Sequence, residues 1–276
     1  MTSIGLPTQQ AATAALDDRA GQTSAWDGFA LAASDAGLSR NQADDLLRYR
    51  DLLLDWNTRF NLTAITDPAA VEQRLLLDAL RMLPAIDDAI AASGEAKPRL
   101  ADIGSGGGIP ALPIAICRPV LAVTMIEATG KKTGFLRAAI DDLGLRNAAA
   151  LHGRAEDIAR ELDHRAAYEV VTARAVSSLP ALIELAMPLL RPRGFGIFPK
   201  GLDLDDELRA GETAAREIGA EIVSANVLPG GDTRLVVVRK RRPTPERFPR
   251  RAGIPAREPL GGVAGRSGGS PGRTPR

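Results

Sequence analysis

Short apolar runs alternate with helix-like stretches from residue 99 onward, and this alternation constrains the fold more than any other feature. It predicts a mainly parallel sheet, because parallel neighbours need a crossover, usually a helix, between them. The predicted strands are 99–103, 121–126, 147–152, 168–173, 194–198, 220–228 and 233–239. The predicted helices between them lie near 110–117, 130–143, 155–162, 178–190 and 203–218. Only a Pro-Gly-Gly-Asp link separates the last two strands, so we expect a hairpin there and a seven-stranded α/β sheet with helices on both faces.

The chain divides into four predicted segments: an N-terminal extension 1–24, a helical cap 25–97, the α/β core 98–240 and a basic C-terminal tail 241–276. The extension has no hydrophobic period, and Pro, Gly and Arg dominate the tail, so both are predicted to be disordered. In the cap, apolar residues recur at spacings of three and four, which is typical of an amphipathic helix. Its aromatic residues share that face and are expected in the core rather than on a base-stacking surface; they are Tyr49, Trp56 and Phe60.

Charge is distributed unevenly along the chain. Residues 239–276 contain eleven Lys and Arg against two Asp and Glu, a net charge of +9, whereas residues 1–238 carry −8. A basic tail on an acidic body indicates a polyanionic partner, and a merely solvated tail would show the same charge.

The number of cysteines and the length of the apolar runs indicate in which cellular environment the protein is found. The single cysteine, Cys117, excludes a disulfide framework and is expected to pack as a small apolar residue. No apolar run reaches the roughly 18–20 residues of a membrane-spanning helix, and no charged-then-apolar leader is found. We therefore expect a cytoplasmic protein with no membrane partner.

A glycine-rich turn follows the first predicted strand, within the sequence LADIGSGGGIPALPIAI of residues 100–116. Glycine permits positive φ and lets a ligand approach the backbone, and the following helix offers free N–H groups. This position predicts the ligand crevice of an open α/β sheet, although a glycine-rich turn alone can be purely structural. The dinucleotide fingerprint G-x-G-x-x-G fails, because its sixth position counted from Gly104 is Ile109, and a dehydrogenase is therefore disfavoured.

The spacing of Asp102, Gly104, Gly106 and Gly108 is similar to the first motif of Rossmann-like S-adenosylmethionine (SAM) methyltransferases. Asp102 could face the ammonium group of that ligand directly or through water. Glu127 ends the second predicted strand, where a carboxylate suits hydrogen bonding to a ribose diol. A solvated strand-end carboxylate is the alternative for Glu127.

Further stretches resemble the bacterial small-subunit ribosomal RNA guanine-N7 methyltransferases of the RsmG/GidB type. They are LLLDWNTRFNLTAI, RLLLDAL, EATGKKTGFLR, GRAED, VTARAVSSL and PKG, and they span about residues 45–240. The sequence RFPRRAGIPAREPL, at 247–260, also resembles a C-terminal extension of some members. The resemblance implies a class I SAM-dependent methyltransferase that methylates N7 of a specific guanine in 16S rRNA.

The resemblance also implies site residues. It places SAM contacts at Gly104, Ile109, Ala155, Glu156 and Arg174, with Glu127 on the ribose. Arg174, after the fourth strand, also falls where class I methyltransferases position substrate. The acids after Ala155 could equally complement a helix dipole. The chain departs from the family at Leu75, usually histidine, and at Ala79, usually serine.

The expected chemistry needs no general base, because guanine N7 carries a lone pair and no proton. Catalysis should come from holding N7 and the methyl group about 3–3.5 Å apart and in line. His152 and His164 are accordingly expected to be structural, and no metal is expected. Phosphate contacts are expected from Lys131, Lys132, Arg137, Lys200, Arg250 and Arg251.

The expected partner is RNA, and two alternative functions are compatible with the sequence. We expect a monomer that acts on small-subunit rRNA or a ribosomal particle. The alternatives are a SAM-dependent methyltransferase for another RNA or a small molecule, and a non-catalytic SAM-binding regulator.

Overall fold

The computed structural model of the protein describes residues 37–230 and 232–262. The predicted disorder of residues 1–24 lies outside the described residues, as do the first part of the predicted cap, residues 25–36, and the last part of the tail, residues 263–276.

Seven strands form one sheet in the order β3-β2-β1-β4-β5-β7-β6. The strands are β1 (Arg99–Ile103), β2 (Ala122–Glu127), β3 (Ala148–His152), β4 (Tyr168–Ala173), β5 (Leu190–Lys200), β6 (Ala220–Val227) and β7 (Arg234–Lys240). The first five pair in parallel, whereas β7 is antiparallel to both β5 and β6. The predicted seven-stranded, mainly parallel sheet with a terminal hairpin is confirmed.

Helices cover both faces of the sheet. They are α1 (Arg40–Asn57), α2 (Pro68–Val71), a π-helical turn (Glu72–Leu76), α3 (Leu77–Ser93), α4 (Ala111–Cys117), α5 (Gly130–Asp142), α6 (Ala155–Ile158), α7 (Leu179–Ala186), α8 (Asp205–Ile218) and α9 (Ile254–Arg257). Neighbouring β1 residues serve opposite faces: Leu100 packs with α1, α3, α4 and α5, whereas Ala101 packs with α6, α7 and α8. This alternation follows from the two-residue period of a strand buried on both sides.

The helices before β1 share one hydrophobic core with the α4–α5 layer. Tyr49 and Leu53 of α1 are fully buried in it, and Trp56 packs 5.6 Å from the ring of Phe135 in α5. α1 begins with a capping box between Ser39 and Gln42. The side-chain amide of Gln42 also donates to the carbonyl of Ile116, 3.0 Å away. The cap is thus fastened to the core at both ends of α1.

Residues 241–262, called the C-terminal segment below, pack against the second face, so the prediction that the tail is disordered is wrong here. Phe248 is only 2% exposed, and Pro255 of α9 is also buried. Arg165 donates to the Phe248 carbonyl at 3.0 Å. The prediction rested on the high content of Pro, Gly and Arg. That content gives no information about the two contacts that order this stretch, which are the burial of an aromatic ring and the hydrogen bonds donated by arginines of the core domain.

The described residues include neither a membrane-spanning helix nor a metal-binding cluster. No helix there combines the length and apolar character needed to cross a bilayer. The same residues contain no group of three or more His, Cys, Asp or Glu placed to hold a metal ion.

Candidate active site

The glycine-rich turn lies at the carboxyl edge of β1 and is pinned there by backbone hydrogen bonds. The amide of Gly104 donates to the Ile126 carbonyl of β2 at 2.8 Å. Gly104 has φ +65°, and a Cβ added to it would lie 2.7 Å from a methyl carbon of Val176. At Gly108, with φ +87°, an added Cβ would lie 2.5 Å from Leu112. Both positions therefore require glycine for conformation and for space.

Asp102 is the buried carboxylate beneath this turn. It is 1% exposed, and its Oδ1 accepts a hydrogen bond from Thr172 Oγ1 of β4 at 2.7 Å. Its Oδ2 is buried without a hydrogen-bond partner among the described residues. Burial raises the pKa of Asp102 to about 7, opposed by hydrogen bonding from Ser105 and Thr172. An unsatisfied buried carboxylate oxygen of this kind fits a ligand that brings an ammonium group.

Glu127 ends β2 as predicted, and its carboxylate is occupied by backbone donors. It accepts from the amides of Gly106 at 2.9 Å and Thr129 at 2.8 Å. Each carboxylate oxygen can accept a second hydrogen bond, so these contacts leave capacity for the two hydroxyls of a ribose. Glu127 also ties the glycine-rich turn to the start of α5, a role that the sequence did not reveal.

Ala155 and Glu156 begin α6, directly after β3. Glu156 is 8% exposed, and its Oε1 accepts from the amide of Gly253 at 2.8 Å. The C-terminal segment therefore reaches the turn where the resemblance places two cofactor contacts, Ala155 and Glu156. Sequence reasoning missed this contact, which joins residues 97 positions apart.

A cavity of about 230 Å³ lies between the glycine-rich turn and the cap. It brings together five of the predicted site residues, Gly104, Gly106, Ile109, Lys132 and Arg174. The remaining wall is formed by Leu53, Leu62, Thr63, Leu75, Ser105, Gly107 and Ala175. The other predicted cofactor residues do not line this cavity; they are Asp102, Gly108, Glu127, Ala155 and Glu156.

Two polar side chains of α1 hold the cap side of the cavity in place. The Tyr49 phenol donates to the Gly107 carbonyl, and burial raises the Tyr49 pKa well above its ordinary value, so it stays a donor. Asn57 Oδ1 accepts from the amides of Leu62 and Thr63 at 2.8 and 3.0 Å. The W-N-x-x-x-N-L-T sequence therefore has a structural role: these contacts shape the loop that faces the glycine-rich turn.

Arg174 follows β4 and lines the same cavity. Its Nη2 donates to the carbonyl of Arg74 at 3.0 Å and lies 3.5 Å from Asp78 Oδ2. Burial lowers the Arg174 pKa, opposed by the charge of Asp78, and a guanidinium in this setting stays protonated. The next residue, Ala175, has φ +56°, a conformation that costs a non-glycine residue energy and that fixes the chain where Arg174 enters the cavity.

Four of the six basic residues predicted to contact RNA are available for such contacts. Lys131, Arg137 and Arg251 are exposed, and Lys132 lines the cavity. Lys131 Nζ lies 5.6 Å from the ring centroid of Phe60, which joins the cap to α5 at this surface.

Lys200 and Arg250 differ from these four, because they form ion pairs within the protein; their contact with RNA stays a prediction. Lys200 Nζ lies 2.7 Å from a Glu207 oxygen and donates to the Ser177 carbonyl. Arg250 pairs with the fully buried Glu184 at 2.7 Å. Their acidic partners lie on other elements, so the linear sequence did not reveal these pairs.

The histidines and the cysteine stay outside the cavity wall. His152 Nε2 lies 3.1 Å from the Ala128 carbonyl, and His164 Nδ1 lies 2.6 Å from the Tyr168 hydroxyl. Cys117 is 3% exposed in α4, and burial raises its pKa to about 12, so it is a packed thiol rather than a nucleophile.

Solved structures give weak similarity. The antibiotic-resistance methyltransferase Kmr matches with a TM-score of 0.44 at 20% identity, covering 57% of this chain and 92% of that one. A 16S rRNA (adenine(1408)-N(1))-methyltransferase mutant from Catenulisporales acidiphilia matches with a TM-score of 0.45 at 14% identity, covering 58% and 92%.

Sequence similarity is much stronger. The family model described as rRNA small subunit methyltransferase G matches residues 42–236. A "Ribosomal RNA small subunit methyltransferase G" from Chloroflexus aggregans is 48% identical over 227 residues, which cover 81% of this chain and 92% of that relative. Proteins of the same name from Rubrobacter xylanophilus and Lactococcus lactis subsp. cremoris are 42% and 37% identical, over 81% and 84% of this chain and 86% and 96% of theirs. The chain belongs to the rRNA small subunit methyltransferase G family.

Proposed function

We propose that this protein transfers the methyl group of SAM to N7 of a specific guanine in small-subunit (16S) rRNA. Membership in the rRNA small subunit methyltransferase G family supports the reaction and the RNA. The resemblance to motifs of the RsmG/GidB type adds support for the guanine-N7 position. The substrate is naked rRNA or a ribosomal particle.

The observation that carries the N7 assignment is the composition of the cavity wall. The twelve residues that line the cavity include no His, Cys, Asp or Glu. An amino or hydroxyl acceptor has a proton to lose and benefits from a general base, whereas guanine N7 offers a free lone pair. A wall built from glycine, apolar residues, two hydroxyl side chains (Thr63 and Ser105) and two cations is therefore suited to N7 and poorly suited to proton abstraction.

The residues at the carboxyl edge of the sheet fit the cofactor. When bound, SAM supplies an electrophilic methyl group on a sulfonium centre. The unpartnered Asp102 oxygen would take the ammonium, and the spare acceptor capacity of Glu127 would take the ribose. The bare backbone of the glycine-rich turn lets the ligand approach closely, with Ile109 as an apolar neighbour.

Catalysis by this chain rests on positioning. The cap and the glycine-rich turn form two walls that restrict how a flat base can enter, and Arg174 lines the cavity as a fixed donor. Correct alignment of two reactants removes much of the entropic part of a barrier, so no side chain needs to bond covalently to the substrate.

The RNA contacts are proposed at Lys131, Lys132, Arg137 and Arg251. Phosphate contacts of this kind position the RNA without reading its sequence. We also propose that the protein acts in the cytoplasm, where small-subunit rRNA is found, and that it does so as a monomer.

Methyl transfer from labelled SAM tests the reaction. The wild-type protein is incubated with small ribosomal subunits from cells that lack its gene, with large subunits and transfer RNA as controls. Label on small-subunit rRNA alone is the expected result. Label only on other RNA, or SAM binding without turnover on any of these RNAs, would overturn the proposal in favour of another substrate or a SAM-binding regulator.

A further inference from the structure

The Arg174 guanidinium uses only some of its N–H donors within the protein. Only its Nη2 has acceptors among the described residues, the Arg74 carbonyl and the Asp78 carboxylate. A guanidinium carries five N–H donors, so those on Nε and Nη1 remain for a ligand. Since Arg174 lines the cavity, a bound ligand with an acceptor oxygen can use them.

The first support for this arrangement is the π-helical turn of the cap, Glu72–Leu76. Such a turn departs from the regular i to i−4 pattern of an α-helix, and such turns are frequent at functional sites. Arg74 lies in it and offers its carbonyl to Arg174 at 3.0 Å. Glu72 of the same turn is 6% exposed and pairs with Arg50 of α1. The turn that presents this carbonyl is thus anchored by a largely buried ion pair.

The second support is Asp78, in the first turn of α3. Its side chain is 18% exposed, and its Oδ1 pairs with Arg81 at 3.0 Å while Oδ2 faces Arg174 at 3.5 Å. One carboxylate therefore bridges two guanidinium groups, of which that of Arg174 lines the cavity. Arg174 is 26% exposed at its side chain, so solvent screens this pair only partly.

We propose that Asp78 is a positioning residue, which with the Arg74 carbonyl fixes the Arg174 guanidinium so that its remaining N–H groups bind an acceptor oxygen of a ligand in the cavity. The oxygen comes from the carboxylate of the methyl donor or from O6 of the target base. This inference rests on the proposed function, because its activity assay uses the proposed substrate. The two side chains that it couples, Asp78 and Arg174, are 96 positions apart in the sequence.

A double-mutant cycle tests the proposal. The variants are Asp78→Ala, Arg174→Ala and the double variant, with Asp88→Ala as the matched control, an exposed carboxylate on the same helix without an ion pair among the described residues. For each, SAM affinity is measured by calorimetry, and kcat and KM are measured on small subunits. Asp78→Asn, which keeps an acceptor oxygen and the side-chain volume, is the rescue variant.

The expected pattern is strong coupling. Asp78→Ala should lower kcat/KM about tenfold, in the range for a lost charge-assisted hydrogen bond, and the double variant should be no worse than Arg174→Ala alone. Asp78→Asn should recover part of the loss, and Asp88→Ala should match the wild type. A parallel loss of SAM affinity assigns the oxygen to the methyl donor, whereas a raised KM for the subunit at unchanged SAM affinity assigns it to the base.

Two results would overturn the proposal. One is additive losses from Asp78→Ala and Arg174→Ala, and the other is a kcat/KM for Asp78→Ala equal to that of Asp88→Ala. Melting temperatures of all variants separate a folding defect from a positioning defect. If the wild type methylates no subunit, the proposed function fails by itself, and coupling in the SAM-affinity cycle then decides this inference.

Discussion

Lowering the pH from 7.0 to 5.5 should weaken SAM binding about 15-fold, because Asp102 must be ionised to hold an ammonium group. Burial raises the pKa of Asp102 to about 7 in the protein without ligand. The carboxylate is then about half ionised at pH 7.0 and about 3% ionised at pH 5.5. A neighbouring cation lowers the pKa in the complex, so binding releases a proton in this range.

Calorimetry in buffers of different ionisation enthalpy measures both the affinity and the protons released. The matched variant is Asp102→Asn, which keeps the shape and an acceptor for Thr172 and removes the titration. Its SAM affinity should be lower at pH 7.0 and nearly constant down to pH 5.5. A wild-type SAM affinity that is flat over this interval, or the same slope for Asp102→Asn, would contradict this prediction.

The same carboxylate predicts the sign of a stability change. A carboxyl group with a raised folded-state pKa favours the folded state while protonated, so its contribution declines as pH rises from about 4 to 7. Between pH 5 and pH 8 the free energy of unfolding should fall by about 2–3 kcal/mol through Asp102, and urea unfolding of Asp102→Asn should lack this part of the fall.

Three further predictions concern the glycine-rich turn, the C-terminal segment and the residues after it, 263–276. Gly104→Ala should weaken SAM binding at least about tenfold in calorimetry, because its Cβ meets Val176 at positive φ, whereas Gly134→Ala in α5 has open space and should bind normally. Arg250→Ala leaves its fully buried carboxylate partner unpaired and should lower the free energy of unfolding by about 3–5 kcal/mol, whereas the exposed Arg257→Ala should change it by less than about 0.5 kcal/mol. Deleting residues 263–276 removes three arginines, so the slope of log affinity for RNA against log salt should become shallower by up to about 2 while SAM affinity holds; an unchanged slope would exclude a phosphate contact there.

Local patterns were enough to predict the sheet. The spacing of apolar residues predicted each strand and most helices to within a few residues of the observed bounds. This is because the spacing depends only on which faces of an element are buried. The larger differences are at ends: β5 runs from Leu190 rather than 194, α6 ends at Ile158 rather than 162, and α7 ends at Ala186 rather than 190. Element ends depend on tertiary hydrogen bonds that a local pattern does not contain.

The placement of a proposed site residue was predictable where it depends on backbone conformation or on the end of a strand. Gly104 and Glu127 are of this kind, since positive φ and strand-end position follow from the motif. Contacts between distant segments were not predictable, such as Asp78 with Arg174 and Gly253 with Glu156. They arise from packing of the cap and of the C-terminal segment on the core, and sequence spacing carries no measure of that packing.

Mapping the position of the transferred methyl group is the direct test of guanine-N7 methylation by this protein. Small subunits from cells that lack the gene are methylated by the purified protein, and their 16S rRNA is treated with borohydride and aniline, which cleave at 7-methylguanine. The expected result is one new cleavage, at a single guanine, that depends on SAM. Methylated rRNA without cleavage would contradict the assignment to N7, and the cavity wall without a proton acceptor would then need another explanation.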